Sequence, residues 1–179
     1  MPDMPMPDGP TPDVEAFRFD DDGETPNNPR LALLVYRNAV SLEGVRDPAV
    51  PFERLFSAHG WADGWRNGVH PFLHFHTGTH EVLGIARGRA TVEFGGAKGR
   101  VLSVEAGDVV VLPAGTGHRR LSASGDLLVV GAYPHNGSFD QQRPGQVDHA
   151  KAVTSIAHVP MPEMDPVHGP VGPLMKLWK

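Results

Sequence analysis

Short apolar segments separated by glycine turns follow one another through the middle of the chain. Gly95-Gly96, Gly107-Asp108 and Gly125-Asp126 supply turn residues that tolerate positive φ. Segments of this length and spacing are typical of β-strands, and many short strands with frequent turns favour a sandwich or barrel over parallel α/β units. The predicted strands are 70–76, 81–87, 89–94, 100–104, 108–112, 118–121 and 127–133.

The segments on either side of this strand-rich region have a different pattern. Prolines at every second or third position predict a flexible arm over 1–13. Residues 14–69 are predicted to pack on the barrel as short strands at 14–19 and 31–36 and one helix over 47–60. Asp47 can cap this helix, and Pro48 suits its first turn. The barrel core is assigned to 70–135 and an extended C-terminal arm to 136–179.

Two strands are apolar without alternation, 109–112 and 127–130, which is typical of strands covered on both faces. The helix, the C-terminal arm or another subunit could cover the outer face. The arm ends in the apolar segment 174–178, which is expected to dock on its own barrel or on a partner. These features predict a homodimer.

Composition narrows the classes of function. The chain has 179 residues, a net charge of −5 and no cysteine, which excludes disulfides, thiolate metal ligands and cysteine nucleophiles. No basic stripe is present, so nucleic acid is not an expected partner. The N-terminus does not resemble a secretory signal, and the apolar runs are too short to span a bilayer. A soluble, cytoplasmic protein without membrane contact is expected.

Three histidines and one glutamate have spacings that allow them to meet. His74 and His76 face the same side of a strand because they are two residues apart. Glu81 begins the returning strand beside them, and His118 enters from another strand after the turn at 113–115. This set suits one divalent first-row transition metal, such as Fe, Mn, Ni, Co, Cu or Zn.

Such a ligand set differs from a structural zinc site, which is closed and usually contains cysteine. Three imidazoles and one carboxylate leave up to two octahedral positions for exogenous ligands. An incomplete coordination shell in a barrel mouth is what catalysis or ligand binding requires.

The spacing of these residues resembles both motifs of the cupin superfamily. The first runs Gly68, five residues, His74-x-His76, four residues, Glu81, six residues, Gly88. The second runs Gly107, five residues, Pro113-x-Gly115, two residues, His118, and it departs from the family only where Ser122 replaces the usual asparagine. The resemblance implies an all-β cupin fold, a double-stranded β-helix or jelly-roll barrel, with the four motif residues on a metal.

A closer similarity extends over most of the chain outside its first dozen residues. Segments 65–68, 80–84, 107–115, 131–134 and 172–178 look like those of uncharacterised bacterial cupins of the YjlB type. This resemblance implies a small single-barrel cupin with helical and tail additions, and it implies no agreed reaction.

Two further histidines lie near the motif. Strand alternation places His80 on the opposite side from Glu81, where it would support the ligands from outside the metal shell or lie at the surface. His70 would share the face of His74 in a regular strand, although Pro71 interrupts that regularity. It is therefore a candidate pocket residue or a structural histidine.

Three other side chains are candidates for the pocket wall. Arg120 comes two residues after His118, shares its inward face and could bind an anionic substrate, whereas a solvated arginine is the alternative. Tyr36 and Tyr133 could line a substrate pocket or belong to the core.

The sequence leaves three functions open. The first is a metal-dependent enzyme with dioxygenase-type chemistry on a small chelating substrate. The second is a sugar isomerase or epimerase, which needs a general base besides the metal ligands. The third is a non-catalytic module that uses the metal to bind or sense a small ligand.

Overall fold

The computed structural model describes residues 13–179, so the arm predicted for 1–13 lies outside the described residues except for Asp13. The strands are β1 (Val14–Phe17), β2 (Leu33–Tyr36), β3 (Trp61–Asn67), β4 (Glu81–Arg87), β5 (Arg89–Phe94), β6 (Arg100–Glu105), β7 (Val109–Leu112), β8 (His118–Ala123) and β9 (Leu128–Pro134). The α-helices are α1 (Ala49–Ala58), α2 (His149–Ala157) and α3 (Pro173–Leu177), and one 3-10 turn covers Gly96–Lys98.

Two antiparallel sheets make up the barrel. The larger has six strands in the order β1-β2-β7-β4-β9-β3, and the smaller has three in the order β6-β5-β8. The all-β architecture predicted from the glycine turns is confirmed. Six of the seven strands predicted for 70–135 are present close to their expected bounds.

The central strands of the six-stranded sheet, β2, β7 and β4, are buried on both faces, and the apolar run at 109–112 predicts this for β7. Val110 of β7 points inward with Leu83 and Val129, into the core shared with the small sheet. Val109 and Val111 point outward, into a second core that α1 and the C-terminal segment cover. The chain's own helix and tail therefore bury the outer face, and these runs do not require a partner subunit.

Helix α1 lies over the outer face, inside the range predicted for it. The side chain of Asp47 accepts a hydrogen bond from the Ala49 amide at 3.2 Å, which satisfies one free donor at the helix start. Phe52 and Phe56 are fully buried against the sheet. Gly84 of β4 makes this packing possible, because a Cβ at that position would overlap the Phe52 ring.

Two local predictions in the first half of the chain were wrong. The segment 70–76 is not a continuous strand, and its ladder contacts reduce to isolated bridges of His74 with His118 and of Phe75 with Gln142. Pro71 has no amide hydrogen, which explains why regular pairing fails there. Strand β3 was not predicted, because its polar residues become a strand only by pairing with β9.

The prediction of an extended C-terminal arm over 136–179 was also partly wrong, because the helices α2 and α3 interrupt it. Asp148 caps α2 by accepting a hydrogen bond from the Lys151 amide, and α3 lies near the end of the chain. The tail docks on its own barrel: Leu174 and Trp178 are buried, and the Trp178 indole donates to the Ala32 carbonyl at 2.8 Å. Among the helices of residues 13–179, none has the length and apolar character needed to cross a membrane.

Candidate metal centre

Three buried imidazoles converge between the two sheets. His74 and His76 precede β4, and His118 is the first residue of β8. One ring nitrogen from each lies within 4.8 Å of the other two, which is close enough for a single ion. The predicted grouping of these histidines is therefore present in the fold.

Backbone carbonyls orient all three rings. Each Nδ1 hydrogen-bonds to a carbonyl oxygen: His74 to that of Phe72, His76 to that of Asp140 and His118 to that of Thr116. A carbonyl only accepts, so each Nδ1 carries the proton and, in the neutral ring, each Nε2 presents a lone pair. The Nε2 of His76 is buried and has no hydrogen-bond partner among residues 13–179, as expected of an atom placed to bind a metal.

Glu81 adds a negative charge to this site. Its Oε1 lies 3.4 Å from the Nε2 atoms of both His76 and His118, and the residue is 3% exposed. Burial alone would raise the pKa of Glu81, but its charge interaction with His76 and its close contacts with the imidazoles of His76 and His118 hold it well below its usual range. The carboxylate is therefore ionised, and the interior must supply a compensating positive charge.

The histidines respond to that charge in different ways. Burial, and after it the nearby His118, lower the pKa of His74 to about 3, so His74 is a neutral ligand donor at pH 7. Burial also acts to lower the pKa of His76, but the charge of the nearby Glu81 raises it overall. Without a cation, the carboxylate favours a proton on His76, and a metal ion would compete with that proton.

These residues fit a first-row metal ion. Donor atoms about 2.1 Å from an ion lie roughly 3.0–3.4 Å apart when their bonds meet at 90–109°. The 3.4 Å separations between Glu81 and the two imidazoles match that range. The carboxylate of Glu81 is not part of the group of three ring nitrogens that lie within 4.8 Å of one another. Its two 3.4 Å contacts place it on the side of His76 and His118.

A cavity of about 200 Å³ opens above the imidazoles. This volume is below that of most drug-sized pockets, so the cavity suits a small molecule. The residues that line it besides the imidazoles and Glu81 are Trp65, Asn67, Gly68, Val69, His70, Leu83, Tyr133, Phe139 and Gln141.

Two of the predicted pocket residues line this cavity, and a third lies close to it. His70 packs edge-on against His74 with ring centroids 5.1 Å apart, and Tyr133 also lines the cavity. Arg120 does not line the cavity. Its Nη1 lies 4.0 Å from the position of a Cβ on Gly68, which places the guanidinium beside the cavity rim.

Tyr36 and His80 lie elsewhere. The Tyr36 hydroxyl donates to the buried carboxylate of Asp165 on the outer side of the sheet. His80 does face away from Glu81, but it is buried instead of exposed: its Nδ1 accepts from the Ala114 amide, and its ring packs on Trp178 at 4.8 Å. Both residues connect the barrel to the C-terminal segment.

Two contributors to the site come from the C-terminal segment, and no sequence motif indicated them. The carbonyl of Asp140 holds His76, and its carboxylate accepts from the amides of Thr77 and Gly78 at 2.8 Å. Phe139 packs over His76 with ring centroids 5.4 Å apart while remaining 59% exposed at the cavity mouth. A separation of more than 60 residues hides both contacts from any local motif.

Sequence comparison identifies one curated relative over nearly the full chain. The uncharacterised protein YjlB of Bacillus subtilis (strain 168) is 39% identical over 166 residues, which cover 93% of this chain and 97% of YjlB. No protein-family model matches the chain.

Similarities to solved structures cover smaller parts. An acireductone dioxygenase from Bacillus anthracis aligns with a TM-score of 0.36 and 16% identity over 50% of this chain and 61% of the enzyme. A mutant Bacillus subtilis oxalate decarboxylase aligns with a TM-score of 0.35 and 19% identity over 63% of this chain and 22% of the enzyme. An 11S globulin from Wrightia tinctoria aligns with a TM-score of 0.37 and 15% identity, over 45% and 22% of the two chains. TM-scores this low carry no argument about function.

Proposed function

We propose that this chain, which belongs to the family of the Bacillus subtilis protein YjlB, is a single-domain cupin and a metal-dependent enzyme with dioxygenase-type chemistry on a small organic substrate. In this proposal His74, His76, His118 and Glu81 hold one divalent first-row ion. The observation that carries the proposal is the convergence of three oriented Nε2 atoms and one buried carboxylate at the floor of a small cavity.

The protein's own groups have distinct tasks in this site. The carbonyls bonded to each Nδ1 keep the imidazoles in the tautomer that binds a metal, and Glu81 offsets part of the charge of the ion. Leu83, Val69 and Phe139 make part of the cavity wall apolar and limit the water inside it. When bound, the ion supplies Lewis acidity toward a chelating substrate and, if it is redox-active, reactivity toward dioxygen.

The cavity lining disfavours the sugar isomerase or epimerase. Such a reaction needs a base that removes a proton from carbon and is not itself a metal ligand. Among the described residues that line the cavity, Glu81 is the only carboxylate, and it lies against the imidazoles. His70 is the one remaining titratable side chain with a basic nitrogen on the wall, apart from the three imidazoles.

The test is metal reconstitution followed by oxygen uptake. Elemental analysis of the purified protein identifies the bound ion, and the metal-free protein is then loaded separately with Fe, Mn, Co, Ni, Cu or Zn. We expect oxygen consumption with at least one ion on a panel of diols, thiols and diketones, and none in His118→Ala. If no loaded form turns over any substrate while one of them binds tightly, the protein is a non-catalytic binding or sensing module.

We propose in addition that the protein is a homodimer in the cytoplasm. Support comes from Val101 and Leu121, two apolar side chains about half exposed on the outer strands of the three-stranded sheet. Light scattering coupled to size exclusion should give twice the 19.3 kDa chain mass. A mass that stays at one chain over the accessible concentration range would remove the dimer, and cell fractionation tests the compartment.

A further inference from the structure

Trp65 and Tyr133 form a hydrogen-bonded pair on the cavity wall. The indole Nε1 of Trp65 lies 2.8 Å from the hydroxyl oxygen of Tyr133, and both residues line the cavity. The Tyr133 ring packs edge-on toward the ring of His76, with centroids 6.3 Å apart. The hydroxyl is therefore close to the metal site without being one of its imidazole or carboxylate groups.

The chemistry of the pair fixes the direction of the Tyr133 proton. An indole N–H only donates, so the Tyr133 oxygen is the acceptor of this bond. Its own O–H must then point away from Trp65. A tyrosine hydroxyl is protonated at neutral pH, so it can donate this hydrogen to a ligand in the cavity that both residues line.

The pair is held by rigid elements. Trp65 lies on β3 directly opposite Gly131 of β9, two residues before Tyr133. A Cβ on Gly131 would overlap the indole ring, so the glycine creates the space in which the indole reaches the tyrosine. The strand pairing thus sets the hydroxyl before any ligand arrives, which limits the entropy cost of binding.

The charge of the metal site and the size of the cavity restrict which ligands the Tyr133 hydroxyl can contact. Glu81 is the only acidic side chain on the described cavity wall, and no lysine or arginine lines it. A divalent ion with one carboxylate and three neutral imidazoles keeps one positive charge. A small monoanionic chelator would neutralise that charge within a cavity of about 200 Å³.

We propose that Tyr133 is a preset hydrogen-bond donor for an oxygen atom of a small monoanionic oxygen chelator at the metal centre, and that Trp65 aims its hydroxyl. Enolates, hydroxamates and singly deprotonated catechols belong to this ligand class. The inference rests on the proposed function, because it needs the metal centre that the function assumes.

The test uses the full chain loaded with Co²⁺ and two probes of equal size. Acetohydroxamate chelates through oxygen and offers an acceptor to Tyr133, whereas imidazole ligates through nitrogen and offers none. In Tyr133→Phe we expect roughly tenfold weaker acetohydroxamate binding by visible spectroscopy, with imidazole and Co²⁺ affinities within about threefold of wild type. Trp65→Phe keeps the Tyr133 hydroxyl but removes the indole N–H that orients it. We expect a smaller, roughly threefold, loss of acetohydroxamate affinity and no loss of imidazole affinity.

Tyr36→Phe is the matched control, because it removes the same hydroxyl on the far side of the sheet and should leave both probes unaffected. Unchanged acetohydroxamate affinity in Tyr133→Phe would overturn this inference and leave the proposed function standing. Equal weakening of both probes, or loss of Co²⁺ binding, would also overturn it, since Tyr133 would then only support Glu81 or the fold. A wild-type protein that binds no Co²⁺ would reject the proposed function and this inference together.

Discussion

Glu81 and Asp165 are both buried carboxylates, and they lie on opposite sides of the six-stranded sheet. Asp165 is fully buried in the outer core and accepts hydrogen bonds from the Tyr36 hydroxyl and from three backbone amides, those of Val167, His168 and Leu174. Glu81 is buried almost as deeply in the inner core, but its close neighbours are two imidazole Nε2 atoms whose rings carry their proton at Nδ1.

The difference separates a structural acid from a functional one. Asp165 has donors arranged around it by its own chain segment, so the folded protein satisfies it completely. Glu81 faces atoms that compete with it for a positive charge, so a proton or a cation must complete its surroundings. The two acids should therefore respond differently to substitution and to metal.

The largest expected effect is on stability, in Asp165→Ala. Removing this acceptor leaves several buried donors unpaired and releases the C-terminal segment, so the free energy of unfolding should fall by about 3–5 kcal/mol. Denaturant unfolding measures the change. The metal content per folded molecule should stay at the wild-type value, and its loss would mean that the two sides of the sheet are coupled.

The next effect is on metal affinity, in His118→Ala. Removing one of three imidazoles should weaken metal binding by about 100-fold or more, equivalent to about 2.7 kcal/mol. Competition with a chromophoric chelator measures it. His80→Gln is the control, because His80 is buried beside the motif but contacts Ala114 and Trp178. Full occupancy in His118→Ala would reject the ligand assignment.

The third effect is the pH dependence of stability that arises from His80, on the outer side of the six-stranded sheet. Burial lowers the pKa of His80 to about 4, below the ordinary value of 6.5. Between these values the unfolded chain binds more protons than the folded one, so stability falls as pH falls. The contribution of His80 should be about 2 kcal/mol between pH 6.5 and 5.

This contribution can be isolated in metal-free protein. Unfolding curves of the wild type and His80→Gln should differ in slope over that interval, with the variant less sensitive to pH. Equal slopes would show that the folded state accommodates a charged His80 and that its burial has no energetic consequence.

The smallest expected effect is the stability change of metal-free Glu81→Gln. The substitution removes the cost of burying an anion and also its attraction to a protonated His76, so the two terms largely cancel. We expect a change within about 1 kcal/mol, together with a clear loss of metal affinity. A destabilisation as large as that of Asp165→Ala would mean that Glu81 is a structural acid as well.

The site was more predictable than the chain around it. The spacing of His74, His76, Glu81 and His118 anticipated which residues meet, because strand alternation and tight turns relate sequence distance to position in a sheet. The inner face shared by Glu81 and Leu83 follows from the same rule. Strand β3 and the helices α2 and α3 were not predicted. Strand β3 forms only by pairing with β9, whereas α2 and α3 are short helices, and α2 depends on its Asp148 cap.

The sequence by itself determined the all-β barrel, the doubly buried strands and the grouping of the three histidines. The first two depend on patterns that repeat at short, regular distances along the chain, and the third depends on the resemblance of the histidine spacing to the two cupin motifs. Only the tertiary structure decided that Asp140 orients His76, that Trp65 directs Tyr133 and that Tyr36 belongs to the outer core instead of the pocket. These contacts join residues from 64 to 129 positions apart, and no local periodicity specifies which distant groups a fold brings within hydrogen-bonding distance.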